Sequence, residues 1–254
     1  MLKRWFKPIR SKKEQQLIID MRSGYSIETH MHTSEGSLCA GASGREMARF
    51  YKHLGYSGII VSDHFFNGNT TIPPHFPWHE RVRLFCRGYE NAAAEGKRIG
   101  LDVFFAWEYG YHGTEFLTVG LDKEWLLKNS DVLDWGVEEY LDRVRTDGAF
   151  VIHAHPFREA PYIRKLRLFP DHVDAVEVIN SRNSSCEQDV KAYRYALKHG
   201  LAFTSGSDSH DAQVLPGGGM IFDRRPESSA DLIAMLRVGE YTRLIGMERI
   251  ESPK

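Results

Sequence analysis

Residues 25–32 read YSIETHMH, an alternating and partly β-branched stretch that ends in two histidines one residue apart. Because side chains at i and i+2 share one face of a strand, His30 and His32 are expected to point together from the end of this strand. Residues 43–54 follow with apolar residues at helical spacing, behind Ser43 as a suitable N-cap. A strand followed by a helix is the basic unit of an α/β fold.

Strand-like and helix-like segments continue to alternate along the chain. Strands are predicted at 25–32, 58–63, 102–108, 116–121, 149–153, 173–180 and 201–205, and helices at 43–54, 79–99, 137–145, 185–199 and 229–238. This alternation indicates βαβ units and a parallel sheet. The Pro-containing stretches 65–78 and 160–171 are expected as long loops over one mouth of a barrel. About seven strands in 254 residues, with no Pro/Gly-rich linker, predict a single barrel domain.

The charge distribution divides the chain into a basic lead-in and an acidic body. Residues 1–13 hold six Lys or Arg and no acid, and the remaining 27 basic residues face 34 acidic ones, a net charge of −7. We therefore expect a basic N-terminal lead-in at 1–22 and a barrel domain at 23–254. No apolar run reaches 18 residues, which argues against a membrane span. Three widely spaced cysteines without a CxxC pair favour a cytoplasmic protein.

Residue types that bind metal ions recur at the carboxyl ends of five predicted strands. They are His30 and His32, His64, Glu108, His153 and His155, and Asp208 and His210. In an α/β barrel these strand ends form the catalytic face. So many imidazoles and carboxylates need cations to offset the cost of burial, and this donor set, without thiolate, suits Zn, Mn or Fe better than Ca or Mg. Too many ligands are present for one ion, so two or three divalent ions are predicted.

The combined motifs resemble the PHP (polymerase and histidinol phosphatase) family. They are H-x-H at His30, S-D-H ending at His64, a mid-chain Glu108, A-H-P at His155 and D-x-H at Asp208, and they span most of the chain. The resemblance implies an α/β fold of one domain, a distorted (β/α)7 TIM-like barrel. It also implies a trinuclear metal site that hydrolyses phosphate esters.

The resemblance implies a role for each residue that matches a family motif. His30 and His32, together with Asp208, would bind the first metal. Glu108 would be the carboxylate that bridges two metals. His155, the residue before the proline of A-H-P, would bind the second metal.

Two parts of the family pattern have no direct match. His64 and His210 resemble ligands of the third metal, whose remaining ligand in the family is an Asp or His a few residues after H-x-H; here Glu35 is the candidate. The family also has a His after the mid-chain Glu. His112 is preferred here by ligand type, whereas Glu115 is favoured by its position before a strand, and the choice between them stays open.

Residues beside the predicted ligands are expected to support the site. Arg158 and Arg182 each follow a predicted strand end and suit bidentate recognition of phosphate. His153 shares the strand parity of His155 and is predicted to hydrogen-bond behind the ligands, whereas Asp63 is expected to have a structural or supporting role.

These observations predict a hydrolase that acts on phosphate ester bonds, a metal-dependent phosphatase for a small phosphate monoester, similar to histidinol phosphatases. A hydroxide bridged by two metals would be the nucleophile, and Glu108, Asp208, Arg158 and Arg182 would form the catalytic set. The alternatives are a PHP-type nuclease or phosphodiesterase and a non-enzymatic metal-binding regulatory domain. An amidohydrolase-type deaminase is disfavoured because no Lys lies at a predicted strand end. The acidic body argues against nucleic acid, whose binding would depend on the basic tail, and no membrane partner is expected.

Overall fold

A computed structural model describes residues 24–214 and 216–251, so the basic lead-in predicted at 1–22 and the boundary beside it lie outside the described residues. The strands are β1 (Tyr25–Met31), β2 (Gly58–Val61), β3 (Asp102–Tyr111), β4 (Thr114–Val119), β5 (Phe150–Ala154), β6 (Ala175–Asn180), β7 (Ala202–Gly206), β8 (Met220–Phe222) and β9 (Arg243–Leu244). The helices are α1 (Gly44–Leu54), α2 (Trp78–Phe85), α3 (Arg87–Ile99), α4 (Lys123–Lys128), α5 (Val137–Thr146), α6 (Cys186–His199), α7 (Ser229–Val238) and α8 (Glu248–Glu251). Every predicted strand and helical segment is present, and α4, α8, β8 and β9 are additional.

The sheet curls into a nearly closed barrel. Strands β1 to β7 lie side by side in chain order, and β8 pairs antiparallel with β1 and carries β9 beyond it. β7 returns to β1 near the carboxyl ends of the two strands, where Thr29 Oγ1 donates to Ser205 O at 2.7 Å and the Asp208 N–H donates to His30 O at 2.8 Å. The predicted α/β class and distorted TIM-like barrel are confirmed.

One barrel strand departs from the predicted parallel arrangement. β4 runs antiparallel to both β3 and β5, because the connection from β3 to β4 consists of His112 and Gly113 alone. These residues have φ values of +50° and +83°, the left-handed conformation that a two-residue hairpin turn requires. The hairpin pairs Glu115 with Gly110, so β4 begins at the same end of the barrel where β3 finishes.

The long helix predicted at 79–99 is two helices. α2 ends at Phe85 and α3 begins at Arg87, with Cys86 between them. Gly88 lies in the first turn of α3. A Cβ there would lie 2.1 Å from the Oγ1 atom of Thr33, which belongs to the loop after β1. Glycine at this position lets α3 pack closely against the loop that follows His30 and His32.

The predicted N-cap of α1 is present and leads directly into a helix crossing. Ser43 Oγ accepts from the Glu46 N–H, and the Glu46 carboxylate accepts from the Ser43 N–H at 2.8 Å, which forms a capping box. The next residue, Gly44, packs against α3, since a Cβ there would lie 2.1 Å from Gly88 O. The two helices therefore meet at backbone distance.

Apolar side chains fill the space between the barrel and its helices. Ile27 of β1, Leu117 of β4 and Ile152 of β5 belong to one buried cluster with Leu232 and Leu236 of α7. Burial of such side chains is the dominant stabilising contribution to a fold of this kind. Within the described ranges, no helix combines the length and apolar character that crossing a membrane requires.

Replacing Gly44 with alanine should destabilise the fold, because the added methyl group would overlap the Gly88 carbonyl at the α1–α3 crossing. Overpacking of this kind lowers the free energy of unfolding by roughly 1–3 kcal/mol, and Tm by about 2–4 °C for each kcal/mol. Gly136→Ala is the matched control, since a Cβ at Gly136 would meet nothing within 4 Å and its φ is −63°. Thermal denaturation compares the two variants, and equal Tm values would contradict the close crossing.

Candidate metal centre

Seven of the side chains predicted as metal ligands converge at the carboxyl ends of the barrel strands. They are His30, His32, His64, Glu108, His155, Asp208 and His210. His30 Nε2 lies 3.2 Å from Glu108 Oε1, and His32 Nε2 lies 3.2 Å from Asp208 Oδ1. All of them are buried except His210, which is half-buried. The barrel thus gathers the strand-end motifs into one cluster.

Four overlapping groups of three ligand atoms are compact enough for a cation, with all atoms of a group within 4.8 Å of one another. They are His30, His32 and Glu108; His30, His155 and Glu177; His64, Glu108 and Glu115; and His32, His64 and His210. Ligands of a zinc ion lie at about 2.0–2.3 Å from the metal, so two ligands of one ion lie within about twice that distance of each other. Because the groups share members, the sites that they define are neighbours.

Hydrogen bonds orient the two histidines at the end of β1, His30 and His32, toward the centre. His30 Nδ1 donates to Glu177 Oε1 at 2.9 Å. His32 Nδ1 lies 3.1 Å from Ser37 Oγ, whose own hydrogen is donated to Asp63 Oδ1 at 2.8 Å. Both Nδ1 atoms therefore carry the proton, and both Nε2 atoms present a lone pair to the centre. Asp63 acts through this chain of hydrogen bonds, a supporting contact of the kind expected for it.

Two residues of the cluster adopt the left-handed backbone conformation, His155 with φ +28° and Asp208 with φ +55°. This conformation costs about 1–3 kcal/mol for a residue other than glycine, so surrounding contacts must hold it. The His155 N–H donates to Glu177 Oε2 at 2.9 Å, and the Asp208 N–H donates to His30 O at 2.8 Å. These turns direct both side chains out of the strand pattern and into the centre.

His153 does not support the ligands as predicted. β5 ends at Ala154, and the positive φ of His155 breaks the parity that would place both histidines on one side. His153 packs against Phe116 with ring centroids 4.9 Å apart, and neither ring nitrogen has a hydrogen-bond partner among the residues that the structure describes. Burial lowers the pKa of His153 to about 3, so the ring is neutral at physiological pH.

Glu35, the candidate third-metal ligand, is not brought to the cluster. Its carboxylate accepts from the Gly44 N–H and from Asn91 Nδ2, both at 2.9 Å. Glu35 thereby joins the start of α1 to α3. The loop after β1 curves away from the cluster at this residue, which spacing along the sequence alone could not reveal.

Of the two alternatives after the mid-chain glutamate, the structure places Glu115 nearer the ligands. Its Oε1 lies 3.8 Å from His64 Nδ1 and its Oε2 lies 3.6 Å from His155 Nε2. His112 lies in the hairpin turn, on the cavity wall and outside the four groups of described residues. Burial, together with the charge of Glu108, raises the pKa of Glu115 to about 8, so this carboxyl group needs a nearby cation to be ionised at neutral pH.

Glu177 is a buried residue of the centre that the motifs did not identify. Its carboxylate accepts from His30 Nδ1, from the His155 N–H and from Asn180 Nδ2, each at 2.9 Å. A lone acid within the apolar run 175–179 was the one signal in the sequence that could have revealed it. Glu177 therefore fixes two ligand residues at once.

Negative charge is concentrated between the imidazole rings. Burial alone would raise the pKa of Glu108, but the rings of His64 and His30 outweigh burial and hold this pKa well below its usual value. Burial is likewise outweighed at Asp208, where His30 and Arg158 hold the pKa well below its usual value. Both carboxylates are ionised and would stabilise a bound cation.

Contacts within the protein do not satisfy every polar atom of the centre. His64 Nδ1 and Glu108 Oε2 lie 2.7 Å apart, yet neither forms a well-oriented hydrogen bond with any residue in the described part of the chain. Buried polar atoms in this state cost free energy, and a cation that both atoms coordinate would remove that cost. The imidazole and carboxylate donors therefore fit divalent metal ions.

The centre opens into a cavity of about 440 Å³. Arg158 lies in the cavity wall, with Nη1 2.7 Å from Asp208 Oδ2 and Nη2 2.8 Å from Asn180 Oδ1. Arg182 also lies in the wall, with Nη1 3.2 Å from His210 Nδ1. Both predicted arginines thus flank the cluster.

Comparison with known sequences supports the resemblance to the PHP family. A family model described as PHP-associated matches residues 189–241. An uncharacterised protein of Methanocaldococcus jannaschii is 43% identical over 79 residues, which cover 28% of this chain. The match spans 33% of that relative, about a third of its length.

Solved structures with low sequence identity share the fold. A two-domain protein of Bacteroides vulgatus, described as containing an inferred PHP-like metal-dependent phosphoesterase, has a TM-score of 0.64 at 13% identity; the match covers 87% of this chain and 65% of that protein. A candidate metal-dependent phosphoesterase of Bifidobacterium adolescentis has a TM-score of 0.52 at 17% identity, over 75% of this chain and 90% of that one. PsfC of Pseudomonas syringae has a TM-score of 0.58 at 17% identity, and the match covers 89% of this chain and 93% of PsfC.

Glu177→Gln should weaken metal binding, because the amide cannot accept equally from the His30 ring and the His155 N–H. Loss of such a supporting contact typically lowers metal affinity by about 10–100-fold. Glu95→Gln is the matched control, since Glu95 is also buried but pairs with Arg49 and Arg98. Zinc titration against a chelating dye measures both variants, and equal affinities would show that Glu177 does not hold the ligands.

Proposed function

We propose that this chain, which belongs to the PHP domain family, is a metal-dependent phosphoesterase that hydrolyses a small phosphate monoester. The observation that carries this proposal is the convergence of the histidine and carboxylate motifs with two arginines in one cavity. A histidinol-phosphatase-like reaction is one member of this substrate class.

Glu108 is placed so that neighbouring cations can share it. Its Oε1 lies 3.2 Å from both His30 Nε2 and His155 Nε2, and its Oε2 lies 2.7 Å from His64 Nδ1. His30 and Asp208 would hold a cation on one side of Glu108, and His155 would hold another. Two or three divalent ions, of zinc, manganese or iron, would activate a water molecule as the hydroxide that attacks phosphorus in line.

The two arginines supply the positive charge that a phosphate group needs beyond the metal ligands. Arg158 is held in one orientation by Asp208 and Asn180. Arg182 reaches the cavity beside His210 and would bind phosphoryl oxygens with its planar guanidinium group. Preorganised donors of this kind stabilise the charge that develops on these oxygens during the reaction.

The size of the cavity supports a small substrate. Its volume of about 440 Å³ falls within the range of roughly 300–1,000 Å³ that is usual for small-molecule sites. Asn67, Tyr111 and Tyr162 line the cavity and would contact the organic part of the ester. The acidic charge of the chain beyond residue 13 disfavours an extended polyanion, so a nuclease is the weaker alternative.

The cytoplasm is the location that we propose. Cys39, Cys86 and Cys186 are all free of disulfide bonds, which is typical of proteins kept in a reducing compartment.

Asp208→Asn should remove most of the activity toward an aryl phosphate, because it weakens a cation site and releases Arg158 from its partner. We expect kcat to fall about 10²–10³-fold, the usual effect of removing one electrostatic group from an active site. Asp134→Asn, at an exposed position, should retain full activity. Full activity in the chelated, metal-free protein would contradict the proposal.

Arg182→Ala should raise KM for phosphate monoesters and leave the metal content unchanged. A charge-assisted hydrogen bond contributes about 1.5–3 kcal/mol, which corresponds to a change of about 10–100-fold. Arg194→Ala, on the exposed face of α6, is the control. Steady-state kinetics with parallel metal analysis would distinguish phosphate binding from loss of metal, and an unchanged KM would exclude Arg182 from the substrate site.

A further inference from the structure

The loop after β6, residues 180–183, carries Arg182 to the cavity wall, and an ion pair outside that wall holds the loop. We propose that this pair, formed by Asp189 and Arg249, positions Arg182 to bind phosphoryl oxygens. The proposal rests on the substrate class of the proposed function and adds to it two positioning residues that do not touch the substrate.

Asn180, the last residue of β6, connects the loop to both arginines of the cavity. Its Oδ1 accepts from Arg158 Nη2 at 2.8 Å and from the Arg182 N–H at 2.9 Å. Its Nδ2 donates to Glu177 Oε2 at 2.9 Å. Because this side chain is fully buried and bonded at both ends, its direction is fixed, and so is the point at which Arg182 leaves the strand.

Asp189 joins the two ends of the loop. It lies in the first turn of α6, fully buried, and its Oδ1 accepts from the Asn180 N–H at 3.1 Å and from Asn183 Nδ2 at 2.8 Å. The loop is also closed by a hydrogen bond of 3.0 Å from the Asn183 N–H to Asn180 O. Arg182 lies between these two asparagines, so the carboxylate of Asp189 determines the shape of the segment that carries it.

Arg249 of α8 matches the charge of this buried carboxylate. Its Nε donates to Asp189 Oδ2, and its Nη2 donates to Asn183 O at 3.2 Å. Burial raises the pKa of Asp189, and the guanidinium group opposes that rise. Loss of one partner of a buried ion pair leaves the other charge unmatched, which is strongly unfavourable. Arg249 therefore holds the loop both directly and through Asp189.

The turn before α8 brings Arg249 to this position. Gly246 has a φ of +89°, and a Cβ there would lie 3.0 Å from Ile179 Cγ2 and from Gly217 O. The Arg249 N–H donates to Gly246 O at 3.0 Å. The helix thus starts against the end of β6, and the Arg249 side chain reaches the loop from the side away from the cavity.

Arg182 depends on the loop more than Arg158 does. Asp208, which follows β7, contacts Arg158 Nη1 at 2.7 Å and holds that guanidinium group from a different element. Arg182 is part of the loop itself, so a change in the loop backbone moves it directly. Small displacements of a positioned group reduce its contribution steeply.

Arg249→Ala should raise KM for an aryl phosphate and Kd for inorganic phosphate by about 2–30-fold, the range usual for substitutions that act on a ligand site from a distance. kcat should fall less than KM rises, and the zinc content should stay at the wild-type level. Arg224→Ala is the matched control, since it also removes an arginine that pairs with carboxylates, Asp231 and Glu240, and it should leave KM unchanged. Measurements well below the Tm of each variant separate positioning from lost stability, and an unchanged KM in folded Arg249→Ala overturns the proposal.

A double-mutant cycle identifies the arginine through which Arg249 acts. If that residue is Arg182, the Arg182→Ala and Arg249→Ala double variant should raise KM by less than the product of the two single effects. Effects that multiply fully would overturn the assignment to Arg182. Arg249→Lys, which restores the charge beside Asp189, should recover part of the phosphate affinity, and a lack of recovery relative to Arg249→Ala would count against the ion pair. If the alanine variant does not fold, Arg249→Gln takes its place, and an unchanged KM in that variant overturns the proposal.

Binding of inorganic phosphate to the zinc-loaded full chain, measured by calorimetry, separates this proposal from the proposed function. Weaker phosphate binding by Arg249→Ala, in a protein that hydrolyses no phosphate ester, would support the positioning of Arg182 and overturn the proposed function alone. Unchanged phosphate binding by Arg249→Ala, in a protein that does hydrolyse phosphate esters, would overturn the positioning alone. Absence of phosphate binding and of hydrolysis from the wild-type protein would overturn both.

Discussion

His30 lies between buried carboxylates, and the rest of the centre is arranged around it. Its Nδ1 donates to Glu177 at 2.9 Å, and its Nε2 lies 3.2 Å from Glu108 and 3.7 Å from Asp208. Charges at this depth persist only where opposite charges and hydrogen bonds match them. The neutral His30 ring contributes one N–H to these carboxylates, and divalent cations would offset their negative charge. This balance explains why ionised carboxylates can occupy the interior of a barrel mouth.

The same contacts close the barrel and assemble the site. The hydrogen bond from the Asp208 N–H to His30 O joins the end of β7 to β1, and it also holds Asp208 in its left-handed conformation beside His30. Glu177 also makes two such contacts, since its carboxylate orients the His30 ring and accepts a hydrogen bond from the backbone N–H of His155. Formation of the ligand cluster is therefore coupled to closure of the sheet.

Strand periodicity predicted the part of the site that regular structure carries. His30 lies on β1 and His32 directly after its last residue, at i and i+2, and both rings reach the centre as expected. Periodicity failed where the backbone leaves the regular pattern: a positive φ at His155 separates it from His153, and the tight turn at His112 reverses the chain and directs Glu115 inward. Long-range contacts were also beyond reach, because nothing local in the sequence indicates that Glu35 caps α1 or that Glu177 supports His30.

Anomalous X-ray diffraction from crystals of the full chain grown with zinc tests the metal centre most directly. The account predicts two or three anomalous peaks within the cluster, one of them between Glu108 and His30. A well-ordered cluster without anomalous peaks under these conditions would contradict the account.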